Sequence, residues 1–170
     1  MSHQDVQSVV ISDPFRFAAD LRSLGGEVRI AALERLADFL ANTDGVVSYR
    51  IDGSVDEQGK PRLRLVADGR LELRCQRCLE GMSWDLVLES VLQPVRPGQG
   101  IPDEELEDDE VDAFEVEADL DVIGLVEDEI LLALPIAPRH ENCDQPRPVN
   151  GEGKQSPFAV LAGLRGGGKA

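Results

Sequence analysis

Four side chains able to hold a metal or carry thiol chemistry occur in this chain as two pairs, Cys75 with Cys78 and His140 with Cys143. Two thiols three positions apart on a tight turn point the same way, which suits two ligands on one zinc ion or a redox dithiol. Cys143 is the one remaining cysteine, and His140-Glu141-Asn142-Cys143 repeats the same spacing with an imidazole in place of a thiol. Joined, the two pairs would complete a closed tetrahedron of three thiolates and one imidazole, with sulfur arms of about 2.3 Å. Such a site has no open position, so it would be structural and not hydrolytic. Two other outcomes stay open: small buried cysteines without metal, or a catalytic dithiol. The usual setting of the last is a thioredoxin-like βαβ unit, whereas here the turn joins two strands.

The elements that must position these groups follow from periodicity. Asp13 is an N-cap with Pro14 at the first helical position, which predicts a helix over residues 14–24, ended by Gly25-Gly26. A brief strand over 27–30 follows. Ile30, Leu33, Leu36, Ala37 and Leu40 recur at helical spacing and predict a second helix to about Ala41. From Val46 the period becomes two: Val47, Tyr49 and Ile51, then Leu63, Leu65 and Ala67, then Leu71, Leu73 and Cys75. Asp68-Gly69-Arg70 between the last two sets reads as a three-residue turn with Gly69 at positive φ, since that connection keeps the apolar face continuous. A fourth strand runs from Trp84 to Val95, with a break in alternation near Glu89-Ser90 that is either a bulge or burial on both faces. Residues 120–134 form the strongest helix, capped by Asp119 or Asp121 and stopped by Pro135 and Pro138. Glu127-Asp128-Glu129 lies too far along it to serve the dipole, so it should face solvent or a basic partner. The expected fold class is α+β, a four-stranded, mostly antiparallel sheet covered by helices. Residues 1–143 are read as one domain, with an acidic, mobile insertion at 98–118. A flexible linker, 144–156, and a C-terminal apolar segment, 157–170, follow.

Charge sets the expectations about partners. Net charge is −16, which repels RNA at long range and attracts basic proteins. In the predicted hairpin Arg62, Arg64 and Arg74 lie side by side with Arg64 opposite Arg74, and like charges so placed cost stability unless an anion relieves them. With Arg77 they are either a local phosphate-contacting patch or a solvated face partly neutralised by Glu72. No Lys or Arg occurs between Arg96 and Arg139, and the block Asp103, Glu104, Glu105, Glu107, Asp108, Asp109, Glu110 is either a solvated loop or a docking segment for a basic partner. It lacks the EF-hand spacing. Phe158, Leu161, Ala162 and Leu164 make one short apolar stripe that either docks back on the body or meets a partner.

The chain has no Walker or dinucleotide glycine loop, and two histidines leave little for a catalytic triad. The expectation is a non-enzyme with no small-molecule substrate. No run approaches the roughly 20 apolar residues of a membrane span, no secretory signal is visible at the N-terminus, and three cysteines suit a reducing compartment. A cytoplasmic location follows as the expectation.

Residues 73–79 (LRCQRCL) resemble the signature of the YceD family, the large ribosomal RNA subunit accumulation proteins. Residues 126–135 (VEDEILLALP) are similar to a second block of that family and 157–165 (PFAVLAGLR) to a third, with Ser156 where an asparagine is usual. Before residue 60 the resemblance is carried only by Asp13-Pro14 and Glu34-Arg35-Leu36. It implies a role in the synthesis, processing or stability of 23S ribosomal RNA, with large-subunit rRNA, its precursor, basic ribosomal proteins or assembly factors as partners. The alternative is a zinc- or thiol-stabilised adaptor between proteins, acting on rRNA indirectly. Zinc is inferred from the spacing alone, not from the resemblance.

Overall fold

The computed structural model describes residues 9–99 and 111–143. Strand β1 (Val10–Ile11) leads into helix α1 (Pro14–Ala19), then β2 (Ser23–Arg29), and two short 3-10 turns, Ile30–Ala32 and Leu36–Phe39. Strands β3 (Val46–Val55), β4 (Pro61–Arg74), β5 (Gly81–Val95), β6 (Asp112–Glu115) and β7 (Leu120–Asp121) precede helix α2 (Val122–Ala133). The main sheet is five-stranded, in the order β2-β3-β4-β5-β6, with β6 parallel to β5 and the other pairs antiparallel. β1 and β7 form a separate two-stranded pair. The class is α+β, but the sheet is mixed and has one strand more than expected.

The centre of the sheet is β4. Its odd-numbered residues Leu63, Leu65, Ala67, Leu71 and Leu73 are all buried, and Gly69 continues the same parity between Val47 of β3 and Leu86 of β5. The predicted turn at Asp68-Gly69-Arg70 is therefore absent: two predicted strands are one, and Gly69 is not among the residues with positive φ. The apolar face is continuous because the chain never reverses. Gly69 is there for close approach, since a Cβ would lie 3.1 Å from the Val46 carbonyl oxygen and 3.3 Å from Val47 Cα.

Other boundaries move for similar reasons. The Asp13 carboxylate accepts from Arg16 N–H at 2.9 Å, capping α1 as expected, but the helix stops at Ala19 and Leu21 takes a left-handed φ of 52°. Gly25 and Gly26 then lie inside edge strand β2, opposite Arg50 and Tyr49. The predicted helix over 30–41 is instead the two 3-10 turns, which still bury Ile30, Leu33, Leu36 and Leu40. Its backbone is drawn out by partners from elsewhere, including a bridge of Leu40 to Leu73 and Ala41 N–H donating to the Glu72 carbonyl at 2.7 Å. In β5 there is no bulge, because the β4–β5 register runs unslipped from Leu63↔Leu92 to Arg74↔Gly81. The broken alternation is burial of both faces, Leu92 to Val95 being buried throughout. Asp112–Glu115, inside the expected acidic insertion, is strand β6.

Helix α2 closes the core with Val122, Val126 and Ile130, and Asp121 caps it by accepting from Ile123 N–H at 3.1 Å. The expectation that Glu127-Asp128-Glu129 faces solvent or a basic partner holds for Asp128, which is exposed, but Glu127 and Glu129 are buried. The basic partner is internal. Glu127 accepts from Arg35 N–H at 2.7 Å, Leu36 N–H at 3.0 Å and Arg35 Nε at 2.9 Å, while Arg35 also pairs with Asp128. Burial holds the Glu129 carboxyl above the ordinary carboxylate value, opposed by a hydrogen bond with Ser90 and reinforced by Asp112 and Asp128. Among the described residues no helix is long and apolar enough to cross a membrane.

Two outcomes follow for stability. Glu127→Ala strands the Arg35 and Leu36 N–H groups and should lower unfolding free energy by about 2–4 kcal/mol in chemical denaturation; an unchanged midpoint would contradict this role. Glu129 has a raised folded pKa, so its folded state keeps a proton that the unfolded chain releases. Its contribution is therefore lost as pH rises from the ordinary 4.5 through the raised value. Glu129→Gln keeps a Ser90 partner without the charge, and should gain on the parent protein across that window when urea midpoints are compared as a function of pH.

Candidate metal centre

The end of β4 and the segment after α2 meet at one point. Leaving β4, the chain makes a tight turn in which Cys75 N–H donates to the Glu80 carbonyl and Leu79 N–H to the Cys75 carbonyl, both at 2.9 Å. Leu79 closes the turn in the left-handed region at φ 68°, which is costly for a branched side chain and marks a conformation held by its surroundings. The turn brings Cys78 back beside Cys75. On the other limb, Pro135 and Pro138 keep the chain out of helix, and the Pro138 carbonyl accepts from Gln76 N–H at 2.9 Å. The two limbs are thus fastened by backbone before any side chain is counted.

The side chains then converge as the spacing predicted. One ligand atom from each of Cys75, Cys78, His140 and Cys143 falls in a cluster with all separations within 4.8 Å. Cys75 Sγ lies 3.8 Å from Cys143 Sγ, and Cys78 Sγ lies 3.4 Å from His140 Nδ1. The edges of a tetrahedron with sulfur arms near 2.3 Å and a nitrogen arm near 2.0 Å are about 3.8 Å between sulfurs and about 3.5 Å between sulfur and nitrogen. The observed contacts have those lengths, and the sulfur pair is far beyond the roughly 2.05 Å of a disulfide. The other ring nitrogen, Nε2, sits 3.1 Å from the Gly81 carbonyl oxygen, which as acceptor would fix the tautomer and leave Nδ1 unprotonated toward the cluster. The group could hold a metal ion.

Electrostatics favour thiolate at one corner. Burial pushes the Cys75 thiol up, but hydrogen bonds from the backbone N–H groups of Cys78, His140 and Arg77 outweigh it, and with the Cys78 side chain they bring the thiol to about 5. The Arg77 N–H lies 3.4 Å from Cys75 Sγ. Cys143 is pushed up by burial and by the neighbouring Cys75 and Cys78. The Gly81 and Pro138 carbonyls were not anticipated. Being backbone groups, they leave no residue-type signal, although Pro138 was recognised as a helix stop.

The arginine candidates are not gathered into one patch. Arg62 pairs with Asp56 at 2.8 Å with its side chain only 15% exposed, and Arg64, 49% exposed, pairs with Glu89 at 2.9 Å. Arg64 and Arg74 do not oppose one another: they share β4, ten residues apart, so at strand rise they are separated by about 33 Å. Arg64 faces Asp52 on one side and Val91 on the other. Arg74 donates to the Leu40 carbonyl at 3.1 Å, and exposed Arg77 lies on the cysteine turn. Asp103, Glu104, Glu105, Glu107, Asp108, Asp109 and Glu110, together with Phe158 and Leu161, lie outside the described residues.

Residues 63–165 match the family model described as large ribosomal RNA subunit accumulation protein YceD. The chain is similar to the large ribosomal RNA subunit accumulation protein YceD of Haemophilus influenzae, with 31% identity over 174 residues covering 95% of this chain and 98% of that one. No solved structure matches it.

The strained turn supplies a test. Leu79→Gly accepts the positive φ and should hold or raise the thermal midpoint. Leu79→Val should cost about 1 kcal/mol or more, because a β-branched residue resists the left-handed region. Equal midpoints for the two variants would contradict a turn held at that φ.

Proposed function

The chain belongs to the YceD family of large ribosomal RNA subunit accumulation proteins, and we propose that it is a non-catalytic factor for the accumulation of 23S rRNA, acting in the cytoplasm through its synthesis, processing or stability. What supports the rRNA reading is the match to the accumulation protein along nearly the full length of both chains. What supports a non-catalytic mechanism is the donor set: three thiolates and an imidazole fill a tetrahedral zinc ion and leave no position for substrate. Held by Cys75, Cys78, His140 and Cys143, zinc would tie the β4–β5 turn to the segment after α2. Its contribution is to folding.

Direct contact with RNA would fall to Arg74 and Arg77 more than to Arg62 and Arg64, whose guanidinium groups already meet Asp56 and Glu89. That pairing also favours a second reading. With a net charge of −16, the protein would act as a zinc-stabilised adaptor for basic ribosomal proteins or assembly factors, docking them through the Asp103 to Glu110 carboxylates and affecting rRNA indirectly.

Complementation of a strain lacking the protein tests both. The parent chain should restore 23S rRNA, and Cys78→Ser should restore less as its steady-state level falls. The double variant Arg74→Glu, Arg77→Glu separates the readings, with its circular dichroism spectrum compared with the parent's because Arg74→Glu also gives up the donation to the Leu40 carbonyl. Loss of its ultraviolet crosslink to rRNA supports direct contact, whereas an unchanged crosslink with full restoration sinks it. Failure of the parent chain to restore 23S rRNA removes the rRNA function altogether.

A further inference from the structure

Beside the cysteine turn lies an apolar groove of about 270 Å³. Its walls include Phe39, Leu73, Leu131, Leu132, Ile136 and Pro138, and it borders a second recess that shares Phe39 and Pro138 and reaches Cys75 and Leu79. Several of these side chains stand in water, Leu132 at 77% and Ile136 at 99% exposure. Apolar side chains this exposed, grouped around one groove, mark a surface that something covers.

We propose that the occupant is the protein's own C-terminal segment, residues 157–165, lying in the groove with Phe158 and Leu161 inward. Position favours this occupant first. The described chain ends at Cys143, which is 3.8 Å from Cys75, a residue lining the adjoining recess. Thirteen residues of coil span about 20 Å on average, so the length of 144–156 is enough to keep the segment near the groove at millimolar effective concentration. Pattern favours it next. Ser156 and Pro157 are suited to the N-cap and first position of a helix, and Phe158, Leu161 and Ala162 follow at the spacing of a helix laid in a groove. So short a helix needs a surface to form on. Charge favours it too: residues 157–170 carry Arg165 and Lys169 and no acidic residue, on a chain of net charge −16. Extent does so as well, since the family match runs through residue 165 and so takes the segment as part of the shared unit.

Hydrogen–deuterium exchange on the full-length chain decides it, with parent, Leu132→Asp and Phe158→Asp compared. Leu132 is exposed and Phe158 lies in the tail, so both variants should fold. The expected result is that amides of 158–164 exchange about tenfold more slowly in the parent than in either variant, at a rate independent of protein concentration. Free exchange of 158–164 in the parent overturns the proposal. Protection that grows with concentration alongside a dimeric mass assigns the groove to a second copy and also overturns it. So does protection that appears only when ribosomal subunits are added.

Discussion

Side chains on β4 must alternate faces without a break from Pro61 to Arg74, and most of the structure is a consequence of that alternation. The inward set fixes the register of β3 on one side and β5 on the other. A one-residue slip would turn every leucine of the strand to water, so the register admits no adjustment. The pleat also determines where the strand delivers Cys75, which is inward and fully buried at the last turn of the core. From there the tight turn returns Cys78 to the same side, and backbone hydrogen bonds bring the chain after α2 alongside. The clustering of Cys75, Cys78, His140 and Cys143 is the end product of a sheet register.

Among the described residues several arginines meet carboxylates within the fold. Arg35 with Glu127 and Asp128 fastens a 3-10 turn to α2, and on the outer face of the sheet Arg62, Arg64 and Arg70 each meet a carboxylate. The Arg64 and Arg70 pairs are exposed and add little stability, whereas the Arg62–Asp56 pair is largely shielded from solvent. Among the described residues, the outer-face arginines Arg62, Arg64 and Arg70 each have a carboxylate partner, so they do not form an unpaired arginine face.

The site was legible in the sequence and the path of the chain to it less so. Cys75/Cys78 and His140/Cys143 declare themselves because each pair is three residues apart, a short-range feature read directly from spacing, and the first pair is closed by the Leu79 N–H to Cys75 carbonyl turn. The helix caps at Asp13 and Asp121 are equally local. Gly69 misleads because Asp-Gly is a turn signal only when the chain reverses; here it serves backbone approach to Val47, a fact that lives in a neighbouring strand. Residues 30–41 carry a helical spacing of leucines, yet Glu127, Leu73 and Glu72 claim their backbone groups from far along the chain. Strand β6 is hidden in an acidic block whose composition argues against order, and it forms because β5 offers a parallel edge. Each miss is a long-range partner overriding a correct local preference.

If these four side chains close around one zinc ion and so hold the two limbs together, X-ray absorption at the zinc edge on protein purified without chelator should find one zinc per chain, with three sulfurs at about 2.3 Å and one nitrogen at about 2.0 Å. A shell with two or fewer sulfurs completed by oxygen, or protein that folds and carries no zinc, would contradict it.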